Sequence, residues 1–178
     1  VDAYGHPRIK LGFTEVPTTD ADTIVVPDGY VWDVLIPWGT PLFSDTAAFA
    51  EDASNTAADQ ERQVGFNHDG MHYFPDRRRG SERGMLVLNH EYTDPNQIYS
   101  AALGSAITPD DIGREKVAKA VAAHGVTVVE VGRQPDGTWA HKVGGRRNRR
   151  ITAATPVAYS GPVGADHRPR VVDADLEG

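Results

Sequence analysis

Met85-Leu86-Val87-Leu88-Asn89-His90-Glu91-Tyr92 sets four consecutive apolar residues against an amide, an imidazole, a carboxylate and a phenol. An apolar run this short, closed by polar residues, predicts a strand buried on both faces, although its length alone also fits a helix segment. Its polar end is where a packed core can hold metal ligands or acid/base groups with little positional slack. A second such place lies earlier, at Val64-Gly65-Phe66-Asn67-His68-Asp69-Gly70. The two tips make the rest of the chain readable as their scaffold.

The 178 residues suffice for one domain with a sizeable core, or for part of a larger one. Gly 18 and Pro 12, with a single credible helix, favour a β-rich, turn-rich chain. A net charge of −7 and a pI near 5.4 argue against a nucleic-acid partner, because a phosphate backbone demands a basic face. Cysteine is absent, which excludes disulfides and thiolate metal ligands within these residues. No stretch approaches the roughly 18 apolar residues of a membrane span. The chain starts at Val1 without the pattern of a signal peptide, so a processed or trimmed protein is expected.

Outward from the central stretch, Arg77 to Gly84 is a hydrophilic connection that should join the two polar-tipped segments as antiparallel neighbours. Val126 to Val131 and Thr138 to Val143 flank the turn Gln134-Pro135-Asp136-Gly137 and predict a β-hairpin. Between these lies a helix expected over Pro109 to His124, with Thr108 as N-cap, acids in its first turn, an apolar stripe of Ile112, Val117 and Val121 that Ala118 and Ala122 can extend, and Gly125 as the stop. Tyr30 to Ile36 is rich in β-branched and aromatic residues and predicts a strand, as do Thr23 to Val26, Ile151 to Tyr159 and Ile9 to Phe13. Phe43 to Arg62 reads as an exposed loop or a short weak helix. Trp32, Trp38 and Trp139 are expected in the core. Short strands and turns in this rhythm suit a sandwich, barrel or propeller.

On a strand, Asn89 and Glu91 share one face and His90 takes the other. An amide oxygen beside a carboxylate is a hard-ligand pair suited to Ca²⁺ or, for the carboxylate, to Fe or Mn. Asn67 and Asp69 repeat the arrangement around His68. If the two tips lie side by side, four oxygen-bearing side chains converge; otherwise these residues simply cap strand ends and turns. Arg77, Arg78 and Arg79, and Arg146, Arg147, Arg149 and Arg150, form basic clusters whose guanidinium forks suit phosphate oxygens, although solubility and ion pairing also account for such groups.

Asp28-Gly29-Tyr30, Val34 to Leu42, Val64 to Gly70, Gly84 to Thr93 and Asn148-Arg149-Arg150-Ile151-Thr152 together resemble the PhoX-type alkaline phosphatases of bacteria. The resemblance implies part of a β-propeller of short antiparallel strands with an inserted helix near 109–124. It also implies phosphomonoester hydrolysis with calcium and iron, and export to the periplasm or beyond. Glu91 and Asn89 become the first metal-ligand candidates, followed by Asp69 and Asn67. Members of the family are several times longer, and their iron site includes a cysteine beyond the region that resembles this chain. Residues 1–178 are therefore expected to be the N-terminal part of such an enzyme, inactive and unstable without the remaining blades. A calcium-stabilised binding module and another propeller hydrolase, lactonase-like or phytase-like, are the competing readings.

Overall fold

Met85 to Leu88 lies in the interior of an antiparallel sheet in the computed structural model, which describes residues 12–99 and 113–158. The strands are β1 (His68–Pro75), β2 (Arg83–His90), β3 (Gly125–Arg133), β4 (Trp139–His141) and β5 (Arg149–Ile151). They run in the order β1-β2-β3-β4, with β5 also on β3. Full-length pairing of β2 with β3, from Arg83 opposite Gly132 to His90 opposite Gly125, makes β2 and β3 the rigid centre. Tyr73, Leu86 and Val129 fall in one row and Leu88 and Thr127 in the next, all on the inner face. Leu88, Thr127 and Val129 are essentially inaccessible, whereas Met85 and Val87 on the outer face are only half-buried. The expectation of burial on both faces therefore holds for one face alone.

Irregular chain, rather than a second sheet, covers the inner face. Ile36, Leu42 and Val64 pack with Leu88, Val129 and Val131, and Leu35, Phe43, Tyr73 and Leu86 close the margins. The covering chain is tied to itself by Gly39 N–H to Val64 O, Val64 N–H to Thr40 O and Leu42 N–H to Arg62 O, so its polar backbone is satisfied. A smaller cluster joins Phe66, Ile98, Tyr99 and Ala123 to Trp38. The Trp38 indole donates to Gln60 Oε1 at 2.7 Å, and the Gln60 amide donates onward to Val64 O. Gln60 belongs to α1 (Ala57–Gln60), the short helix allowed for in the Phe43 to Arg62 stretch, capped by Thr56 and Asp59.

The described sheet is antiparallel and open, with β1 at one edge. Several other expectations are corrected. Tyr30 to Ile36 pairs with no strand among the described residues, and Val31 is 94% exposed, because β-rich composition does not by itself make a strand without cross-strand packing. Thr23 to Val26 is likewise outside the sheet. Among the described residues the last strand is the basic Arg149–Ile151, and residues 152–158 of the expected Ile151 to Tyr159 strand lie outside the sheet.

The main helix, α3 (Arg114–Ala123), begins at Gly113 as N-cap, and its buried residues are Lys119, Ala122 and Ala123 while Val117 is 48% exposed. Of the expected stripe Ala122 is buried and Val117 is not; Ala122 and Ala123, both small, bring the helix end close to the sheet, and Lys119 is accommodated by donating to Ala53 O. A third helix, α2 (Pro95–Ile98), follows β2. Trp32 and Trp139 are 49% and 36% exposed, so Trp38 alone among the tryptophans fulfils the core expectation. The expected Thr108 cap, Pro109, Ile112 and Ile9 to Leu11 lie outside the described residues.

Candidate metal centre

The β1–β2 hairpin brings the two polar tips together. Its register shifts between the His68–His90 and Met71–Leu88 pairs, so a bulge falls on Asp69 and Gly70. Asn67, just before β1, has a φ of 50°, a left-handed conformation that Asn tolerates better than most residues. That turn aims Asn67 O at the chain leaving β2, where it accepts from Glu91 N–H at 3.2 Å. Across the bulge, Asn89 Nδ2 approaches Asp69 Oδ2 at 3.5 Å, the long end for a hydrogen bond. The side chains of Asn67 and Glu91 make no hydrogen bond or ion pair among the described residues, and Glu91 is exposed.

All four candidates thus meet at one corner of the sheet: Asn89 with Asp69 through side chains, and Asn67 with Glu91 through backbone. Their oxygens are hard donors with free lone pairs, which fits Ca²⁺ and similar cations. No three His, Asp or Glu side chains converge closely enough for a metal among the described residues. Two carboxylates and two amides thus gather at the corner, fewer than a metal site requires among the described residues by themselves.

Beneath the corner lies a histidine pair whose role the sequence reading did not identify. His68 and His90 face each other on the inner side with ring centroids 5.0 Å apart. His68 Nε2 is 2.8 Å from Ile36 O, and His90 Nε2 shares a 2.8 Å hydrogen bond with Thr127 Oγ1. His90 is 2% exposed and its Nδ1 has no partner. Burial, followed by the positive charges of Arg150 and His68, holds its pKa at about 3, so the ring is neutral at neutral pH. Gly65 is needed at this point, because a Cβ there would meet Ala123 O and the His90 ring at 2.4 Å.

Arg150 is the second residue whose role was missed. Its guanidinium donates to five backbone oxygens: Gln63 O, Val126 O, Ile151 O, Ala122 O and His124 O. Ala122 and His124 lie at the end of α3, so the charge also meets the negative end of the helix dipole. Burial lowers Arg150 to about 10, which leaves it charged at neutral pH. The alternation around Asn89 signals the inward direction of His90, but only tertiary structure shows which carbonyls Arg150 collects.

The family model for alkaline phosphatase PhoX matches residues 11–174. The solved structure of Pseudomonas fluorescens PhoX in complex with vanadate, a transition state analogue, is similar at 39% identity and a TM-score of 0.70. The alignment covers 80% of this chain and 23% of that one, so the chain spans about a quarter of that relative's length. No curated protein matches significantly.

Proposed function

Because the chain belongs to the PhoX alkaline phosphatase family, we propose that it is part of a metal-dependent enzyme hydrolysing phosphate monoesters. The observation carrying this reading is the family match along nearly the whole chain, which includes the corner where Asn89 and Asp69 meet. The 23% coverage of the Pseudomonas enzyme supports a further reading, that residues 1–178 are the N-terminal portion of a larger catalytic domain, a β-propeller whose other blades complete the site. Calcium and iron are the proposed metals, and the periplasm or the exterior the proposed location. No helix among the described residues is long and apolar enough to cross a membrane.

In this reading Asp69, Asn89 and Glu91 supply oxygen ligands and Asn67 shapes the turn that delivers them. Bound metal would polarise phosphoryl oxygens and favour an oxygen nucleophile. The chain's own contribution is placement. The bulge fixes Asp69 beside Asn89, while the His68–His90 layer below holds both strand ends against the core.

The test is hydrolysis of a chromogenic phosphate ester by the full-length protein. Activity is expected to disappear on chelation and return with calcium plus iron, and Glu91→Gln should lower it by about tenfold or more with weakened metal affinity. Activity that survives exhaustive metal removal would refute the reading. Weakened calcium binding in a protein with no phosphatase activity would favour the calcium-stabilised binding module instead.

A further inference from the structure

The strands β4 and β5 lie end to end along the same edge of β3, one opposite Val131 to Arg133 and the other opposite Val126 to Val128. Residues 142–148 bulge out between them. Lys142, Arg146 and Arg147 from this excursion and Arg149 at the start of β5 line a cavity of about 460 Å³, with Glu130 as the only carboxylate among the described residues there. The protein as a whole carries −7, so this is a cationic island on an acidic molecule.

The four cations are not equally committed. Arg147 is held by Glu130, through its N–H to Oε1 at 3.0 Å and its Nε at 3.6 Å. The Arg149 guanidinium donates to Arg146 O and Asn148 O through Nη1 alone. The side chains of Lys142 and Arg146 are exposed and have no hydrogen bond or ion pair among the described residues. Glu130 offsets one charge, which leaves a surplus of three.

The frame under these side chains is rigid. Buried Asn148 accepts from Glu130 N–H and donates to Leu42 O and Lys142 O. A surface set that served solubility alone would have no need of a loop pinned this firmly, with four cations gathered on one cavity.

We propose that this pocket is an anion subsite for a short chain of phosphoryl groups, such as a diphosphate moiety, distinct from the Asn89–Asp69 corner. Guanidinium forks match phosphoryl oxygens in a bidentate manner, and charge distributed over several side chains suits linked phosphoryl groups better than a single anion. Arg149 lies opposite Val128, which lies opposite Val87, while Asn89 occupies the next row of the same outer face. Strand and residue spacings put the Arg149 backbone roughly 12 Å from that of Asn89, which sets the pocket apart from the corner along the sheet.

The test is arginine-selective labelling of the metal-loaded full-length protein with phenylglyoxal in excess calcium, read peptide by peptide. The probe is α,β-methylene ADP, whose diphosphate bridge resists hydrolysis, with orthophosphate as the parallel arm. Labelling of Arg146 and Arg149 is expected to fall about fivefold or more at saturating probe while Arg77 and Arg78 are unchanged, with orthophosphate protecting only at about tenfold higher concentration. Lys142→Glu should raise the half-protecting probe concentration about tenfold. Unprotected Arg146 and Arg149, or equal protection of Arg77 and Arg78, would overturn the subsite. Equal potency of orthophosphate would overturn its preference for linked phosphoryl groups. Because the readout is local protection, it is independent of whether the ester is hydrolysed.

Discussion

Removing the Asn148 side chain should destabilise the protein by about 2 to 5 kcal/mol, from the separate fates of the three backbone groups it holds. Asn148 is 3% exposed, accepts from Glu130 N–H at 2.9 Å and donates to Leu42 O and Lys142 O at 2.8 Å each. Both carbonyls keep one partner in Asn148→Ala, because Leu42 O also accepts from Gly144 N–H and Lys142 O from Gly145 N–H. Each loses only a second bond, worth about 0.5 to 1 kcal/mol. The Glu130 N–H, which has no other acceptor, bears the desolvation cost of about 1 to 3 kcal/mol.

Asn148→Asp separates this account from simple loss of packing. It preserves the acceptor for Glu130 N–H but turns a second oxygen towards two carbonyl oxygens. At pH 7 it should be at least as destabilising as alanine. Repulsion raises the folded-state pKa of the new carboxyl above its unfolded value, so the variant's deficit should shrink as pH falls through that folded-state pKa and the acid regains a donor. Urea unfolding of the full-length protein at pH 7 and near pH 5 would measure both effects. An alanine variant within about 0.5 kcal/mol of the parent, or an aspartate variant as stable as the parent at pH 7, would refute the reasoning.

Arg150→Lys should cost about 2 to 4 kcal/mol, because an ammonium has three donors for the five carbonyls the guanidinium reaches, and amide exchange should quicken around Ala122 and His124 at the α3 terminus. Unchanged exchange there would count against the clamp. His90 predicts a pH dependence: burial keeps the folded ring neutral down to about 3, whereas an unfolded histidine takes up its proton near its ordinary value of 6.5. The unfolded state therefore binds more protons between those values. Stability should fall as pH drops through that window, by at most about 1.4 kcal/mol per pH unit, and His90→Leu should flatten the slope. Parallel slopes for parent and variant would remove His90 from the explanation.

The two tips were legible because they depend on local signals. Met85 to Leu88 is long enough to nucleate a strand, Arg77 to Gly84 is polar enough to be its connection, and the hairpin from Val126 to Val143 carries its own turn. Period-two alternation then fixed Asn89 and His90 on opposite faces before any pairing was known. Elements that depend on a distant partner were misread. Tyr30 to Ile36 has the composition of a strand, yet pairing requires an unoccupied edge, and composition does not report one. The excursion at 142–148 hides for the same reason. Its strand is split by residues that read only as a basic loop, and Asn148 gives no sign in the sequence that it will hold Leu42 from more than a hundred residues away.

The same distinction governs the metal corner. Asn67, Asp69, Asn89 and Glu91 are near one another because one hairpin joins them, so the sequence was sufficient to assemble them. On the proposed metal reading their oxygens are a partial shell, because a hairpin can present only one side of an ion. A cation with six to eight oxygen ligands needs donors from chain that comes back over the corner. The proposed site would then be a place of assembly as well as chemistry, since ligands from two parts of a fold bind a shared ion only when both are docked. Metal removal should therefore loosen the Asp69 bulge as well as abolish turnover. The inner His68–His90 layer, held by protein hydrogen bonds to Ile36 and Thr127, should keep its amide protection. Equal loss of protection in both layers would show that the core, rather than the ion, organises the corner.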